Sequence, residues 1–166
     1  MIRKVLRTGD PRLLRTAAPV DQFDTVQLHK LVQDLHDTLR AHKGLGLAAP
    51  QIGVGLRVLV FRDPDAAAAN RNVVLVNPTI CPVGETTSVA AESCLSVPGR
   101  WGDVRRYEHV RVTAFDVTGQ PVEREFQGMA ARILQHEYDH LDGVLYPQRM
   151  ANGLGSSYVP QAVAHR

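Results

Sequence analysis

The sequence predicts an α+β protein whose helices and strands occupy separate stretches of chain. Three observations predict this. Apolar residues between Asp24 and His42 recur at helical spacing, short β-branched runs follow, and a second helical pattern near residue 130 carries His136 and His140.

The elements can be justified in chain order. Leu28, Leu31, Val32, Leu35 and Leu39 fall at i, i+3, i+4, i+7 and i+11, giving one apolar stripe, with Asp24 or Thr25 as N-cap. His29 and His36 lie on or near its polar side and are expected to be inert. Leu56 to Phe61 and Val73 to Val76 read as strands, and Pro64 through Asn72 as a surface loop. Asp103 to Val117 and Pro121 to Gln127 alternate around Thr118-Gly119-Gln120, which predicts a hairpin. The second helix should begin near Met129 or Ala130, bury Ile133, Leu134 and Leu141, and stop around Asp142-Gly143, where glycine can take the left-handed cap. The expected organisation is one domain over residues 1–150 and a mobile tail over 151–166, where Gly153, Gly155, Ser156 and Ser157 offer little to bury.

Composition narrows the function classes. A formal net charge of +2 is too small to argue for sequence-specific nucleic-acid binding or a membrane surface. Arg105-Arg106 reads as a solvated strand surface. No apolar stretch approaches the roughly 18 residues of a membrane span, and Met1-Ile2-Arg3-Lys4 lacks the apolar core of a secretion signal, so a cytoplasmic protein is expected. The cysteines are Cys81 and Cys94 alone, which suits a reducing compartment.

The most informative segment is His136-Glu137-Tyr138-Asp139-His140. Residues four apart stack on one face of an α-helix, so both imidazoles can reach one ion. Glu137 points to the flank of that face, where a carboxylate can serve as a base without ligating. Cys94, in Glu92-Ser93-Cys94-Leu95-Ser96, is the best third ligand; His29, His36, His42, His109 and His165 stay open on composition. Three protein ligands leave a tetrahedral ion one open position, the mark of a catalytic site. The third histidine that zinc endopeptidases can place after such a helix is missing: residues 144–148 read Val-Leu-Tyr-Pro-Gln.

Gly44-Leu45-Gly46-Leu47-Ala48-Ala49-Pro50-Gln51 completes a set of three ordered motifs with Glu92 to Ser96 and Gln135 to Gly143. With the opening Val5 to Leu13, these make the chain resemble the peptide deformylases as far as about Met150. The resemblance implies mixed, mainly antiparallel β-sheets packed around a central helix carrying the HExxH motif. It implies a metal-dependent hydrolase that removes the N-formyl group from the N-terminal methionine of newly made polypeptides, releasing formate. Cys94, His136 and His140 correspond to the metal ligands, Glu137 to the general base, and Gln51 with the Leu95 N–H to the donors that stabilise the developing oxyanion. Leu45 and Gly46 correspond to positions that pair with the peptide, and Ser93, Arg132 and Ile133 to positions around the substrate. The cofactor implied is one divalent ion, Fe²⁺ in the cell, with Zn²⁺, Ni²⁺ or Co²⁺ in purified protein. The implied partners are formyl-methionyl nascent peptides and, transiently, the ribosome. Support for the ligands is expected from Glu92 and Asp139.

Three positions depart from the commonest family pattern. Ser93 replaces a glycine, Trp101 stands where arginine is frequent, and Arg132 where an apolar residue faces the methionine pocket. Arg132 could cap that pocket, pair with Glu92 or Asp139, or lie on the helix surface. A zinc endopeptidase and a non-catalytic metal-dependent binder are the competing classes.

Overall fold

A computed structural model describes residues 1–68 and 71–150. Helix α1 (Val26–Ala41) begins at Thr25, whose Oγ1 accepts the Leu28 N–H at 3.1 Å. Asp24, the other expected cap, precedes it with a left-handed φ of 56°. Leu28, Leu31, Leu35 and Leu39 are buried as their spacing requires.

Five antiparallel strands form the main sheet in the order β1 (Gly46–Ala48), β2 (Val58–Arg62), β3 (Asn72–Pro82), β6 (His109–Phe115), β7 (Pro121–Gln127). The remaining two, β4 (Thr87–Cys94) and β5 (Val97–Tyr107), pair as a separate two-stranded sheet. Alternation along β2 sends its side chains to two cores. Leu59 and Phe61 meet Leu134, Tyr138 and Leu141 of helix α2 (Gly128–Leu141), while Val58 and Val60 meet Leu31, Leu35 and Leu39 of α1. The sheet is thus sandwiched between the two helices. Every residue of α2 from Ala130 to Leu141 is buried, so it is the central helix and polar groups along it face protein.

Two strand assignments need correction. Val73 to Val76 is only part of an 11-residue strand that continues past a bulge at Asn77, whose amide exchanges hydrogen bonds with both backbone groups of Val20. Asp103 to Val117 is not one strand: it divides near Glu108 into the end of β5, paired with β4, and β6, paired with β3 and β7. The buried positions on either side of the break are Val104, Arg106, Val110, Val112 and Ala114. All are even-numbered, so the alternation runs through the sheet change without a signal. The strands β1 and β4, and the short helix α3 (Tyr146–Arg149), went unread in the sequence. The expected tail, residues 151–166, lies outside the described residues.

Among the described residues no helix is long and apolar enough to cross a membrane. Helix α2 ends as expected at Gly143, which has φ 73° and lies so close to the 11–14 turn that an added Cβ would stand 2.6 Å from the Leu14 carbonyl. Gly143→Ala therefore combines left-handed strain with a backbone clash. It should destabilise the fold by about 1–3 kcal/mol in denaturant unfolding; an unchanged midpoint would show that the cap relaxes freely.

Candidate metal centre and active site

Cys94 is the last residue of β4, where the chain turns through Leu95 and Ser96 into β5. His136 and His140 stand on successive turns of α2. The fold brings these three buried residues together, with their ligand atoms all within 4.8 Å of one another. Cys94 Sγ lies 3.3 Å from His140 Nε2. A tetrahedral ion with ordinary metal–sulfur and metal–nitrogen bonds holds such atoms about 3.5 Å apart, so the donor set fits a single divalent cation. None of the other described histidines joins this cluster. His29 and His109 bond to Asp24 and Glu125 at the surface, and His165 lies outside the described residues.

The thiol and the rings tune one another. Burial opposes ionisation of Cys94, but the His140 and His136 rings outweigh it and bring the thiol down to about 5. The Ser96 N–H (3.4 Å) and Gln51 Nε2 (3.6 Å) also donate to the sulfur. Burial likewise opposes charge on His136, yet Cys94 and Glu92 hold its pKa well above the usual imidazole range. A thiolate is therefore the natural state of Cys94 at neutral pH, as a metal ligand requires.

Glu92 orients His136. Its Oε1 lies 2.8 Å from His136 Nδ1, which assigns that nitrogen as the donor and leaves Nε2 for an ion. Arg106 grips the same carboxylate through Nε and Nη2 at 3.0 and 2.9 Å, and reaches Asp139 through Nη1 at 2.7 Å. Burial works against the Glu92 charge, but His136 and Arg106 keep its pKa far below the carboxylate range. Arg106 is thus not the solvated strand residue its sequence suggests: it is only 1% exposed. Two buried carboxylates require a buried cation, and only the assembled fold shows that Arg106 supplies it. Asp139 serves arginines rather than a histidine, since Arg149 also binds it, at 2.6 and 3.0 Å.

Arg132 is neither a surface residue nor a partner of Asp139. It is 7% exposed, and its Nη groups donate to Glu92 Oε2, the Val104 carbonyl, and the Ser88 carbonyl and hydroxyl at 2.8–3.1 Å. Four bonds tie the guanidinium to the small sheet, while the residue still lines the cleft.

Glu137 is buried, and its Oε2 has no hydrogen-bond partner among the described residues. Burial lifts its pKa to about 7, against the pull of the two imidazoles. The Gln51 amide is fixed at both ends: Oε1 accepts the Ala48 N–H at 2.8 Å, while Nε2 faces Ser96 Oγ at 3.2 Å and the Cys94 sulfur. It therefore caps local backbone and points a donor at the centre simultaneously. A cleft of about 1130 Å³ opens over these groups, and Leu45, Gly46, Ser93, Leu95, Arg132 and Ile133 line it. Glu137 and His136 also reach the cleft; His140 does not line it. Leu45 and Ser93 are exposed, and Leu95 is half-buried. Sequence reasoning missed Ser96, Arg106, Arg149 and Tyr146, whose ring stacks on His136 at 6.0 Å between centroids. Only Ser96 carried a signal, since it closes the cysteine motif.

Two imidazoles, a thiolate and a buried carboxylate on an open cleft match the make-up of a mononuclear metallohydrolase centre. Comparison with known proteins specifies which. Residues 2–154 match the polypeptide deformylase family model. Peptide deformylase 1 of Bordetella pertussis is 49% identical over 156 residues, covering 90% of this chain and 88% of that one. A crystal structure of a Legionella pneumophila peptide deformylase superposes with a TM-score of 0.84 at 41% identity, covering 92% of this chain and 88% of that one. A class I type b peptide deformylase from Acinetobacter baumannii, bound to Met-Ala-Ser, does so with a TM-score of 0.83 at 38% identity, covering 90% and 98%. The chain belongs to the polypeptide deformylase family. Its activity is the metal-dependent hydrolysis that removes the N-formyl group from nascent polypeptides and releases formate.

Gly46 marks where the backbone meets the Glu137 carboxylate. A Cβ there would stand 2.5 Å from Glu137 Oε1. Gly46→Ala should displace that carboxylate by up to an ångström and lower deformylation about 10²-fold, with metal content unchanged. Near-normal kcat in the variant would show that the close approach has no catalytic importance.

Proposed function

We propose that Cys94, His136 and His140 hold one divalent cation, that Glu137 is the general base, and that Gln51 Nε2 and the Leu95 N–H receive the oxyanion. The observation that carries this reading is the buried Glu137 carboxylate, with one oxygen unpaired, beside three converging ligand atoms at the floor of a cleft. Bound there, the cation is a Lewis acid that lowers the pKa of a water molecule and polarises the formyl oxygen.

The chain's own groups complete the chemistry. Glu137 accepts a proton from the attacking water and delivers it to the departing α-amine, so that water and formamide become formate and a free N-terminus. Its pKa near neutrality suits both halves of that exchange. Gln51, already oriented by Ala48 and Ser96, spends no reorganisation in donating to the oxygen, which is the advantage of a preset dipole.

The peptide extends along the free edge of β1, whose other edge is taken by β2. Gly46 and the Leu45 N–H offer the backbone groups, the Leu45 carbonyl being already taken by the Arg62 N–H at 2.8 Å; Ser93 lies at the lip, and Ile133 and the stem of Arg132 wall the first side chain. Met-Ala-Ser in the Acinetobacter baumannii relative supports an N-terminal methionyl peptide as occupant. The ion is Fe²⁺ in the cell, replaceable by Zn²⁺, Ni²⁺ or Co²⁺ on purification; two imidazoles and a thiolate accommodate all four. The setting is the cytoplasm, with transient ribosome association.

Glu137→Gln should retain the metal and lose deformylation of formyl-Met-Ala-Ser by about 10²–10⁴-fold; metal analysis and a formate assay decide it, and activity within a few-fold of the parent would end the base assignment. For the parent, protonation removes the base, so kcat/KM should fall as pH drops through the Glu137 pKa. A nearby cation favours the carboxylate, which puts that limb at or below about 7. A profile flat from about pH 5 to 8 would assign the proton transfer elsewhere.

A further inference from the structure

Lys4, Arg7, Lys43 and Arg100 line the same cleft as Cys94 and Glu137. All four are exposed, and their side chains form no hydrogen bond or ion pair among the described residues. They come from three separate segments. Lys4 and Arg7 flank a stretch pinned to the centre by Leu6 N–H to the Gln51 carbonyl and Thr8 N–H to the Ser96 carbonyl, both 2.7 Å. Lys43 precedes the Gly44–Gln51 motif, and Arg100 lies on β5.

Among the described residues no exposed carboxylate lines the cleft to offset them. The acidic residues lining the cleft are Glu92 and Glu137; both are buried, and Glu92 is already neutralised by Arg106 and Arg132. A chain of formal charge +2 has therefore placed four cations, unpaired among the described residues, around one opening. A low-dielectric cleft lined by one sign of charge concentrates ligands of the other. The formylated end of the substrate carries no charge, so whatever this rim attracts must sit farther along the peptide. Leu45, Trp101 and Met129, exposed in the same cleft, give a following residue apolar surface to rest on.

We propose that this rim is a specificity device favouring nascent N-termini with Asp or Glu among the residues that follow formyl-methionine. The inference rests on the deformylase reading. It concerns capture and leaves the chemical step alone, so the effect belongs in KM and should be weakened by salt.

The test compares formyl-Met-Ser-Glu-Glu-amide, formyl-Met-Ser-Gln-Gln-amide and formyl-Met-Ser-Lys-Lys-amide with the metal-loaded enzyme. At low ionic strength kcat/KM should fall in that order, by about tenfold from first to last, with kcat nearly constant. The spread should shrink in about 0.5 M salt, where the screening length is only a few ångströms. The triple variant Lys4→Gln, Lys43→Gln, Arg100→Gln should turn over the Gln-Gln peptide as the parent does and lose the preference. Equal kcat/KM for the three peptides, a basic preference, or a preference that survives in the triple variant would each overturn the proposal. Formate from none of the peptides would overturn the catalytic reading, and this inference with it.

Discussion

One buried carboxylate joins the two halves of this protein. Glu92 lies on the two-stranded sheet and takes hydrogen bonds from His136 and Arg132 on α2 and from Arg106 on β5. The proposed ligand set is divided along the same line, with Cys94 two residues beyond Glu92 and both histidines on α2. Convergence of sulfur and nitrogen therefore depends on the contact that Glu92 makes. Apolar packing alone would hold the small sheet near α2 without fixing it to a fraction of an ångström, because hydrophobic burial is non-directional. Hydrogen bonds between charged groups supply the direction.

This arrangement burdens stability as well as serving it. Glu92, Asp139, Arg106 and Arg132 are all at most 7% exposed, and removing charges from water costs several kcal/mol per ion before pairing returns any of it. Such networks sit near break-even against apolar residues of the same volume. The gain is geometric. Arg106 links two carboxylates, Arg149 completes the second, and each acceptor oxygen of Glu92 receives two donors. The central helix can then bury its whole circumference while still presenting polar atoms in defined directions.

The parts legible in the sequence were those with a local signature. Helix α1 announced itself through five apolar residues and Thr25, and the site through three motifs whose members Gln51, Cys94, His136, Glu137 and His140 meet in space. What escaped depends on contacts distant in sequence. Arg106 reads as surface because an arginine in an alternating strand usually is, and its burial follows from two acids that arrive from β4 and α2. The division of Asp103 to Val117 between two sheets escaped because the alternation keeps its parity through Glu108. Strand β1 has three residues and pairs through its backbone, so Gly46-Leu47-Ala48 leaves no periodicity to detect.

The same contrast explains why Glu137 is left incomplete. Around it, nearly every buried polar atom has a partner, yet its Oε2 has none among the described residues, and burial raises its pKa to about 7. An unsatisfied buried acceptor costs about 1–3 kcal/mol. A side chain at residue 46 could not relieve it, since its Cβ would stand 2.5 Å from Glu137 Oε1, and the position is glycine. It lets the edge strand come within contact distance of the carboxylate while donating nothing to it from a side chain. Among the described residues the deficit falls on this oxygen, on His140 Nδ1 and on Asp142 Oδ2, whereas both oxygens of Glu92 are saturated. Two carboxylates thus acquire opposite characters from their surroundings: the one given every donor fixes His136 in place, and the one denied them keeps an oxygen free for the proton transfer proposed above.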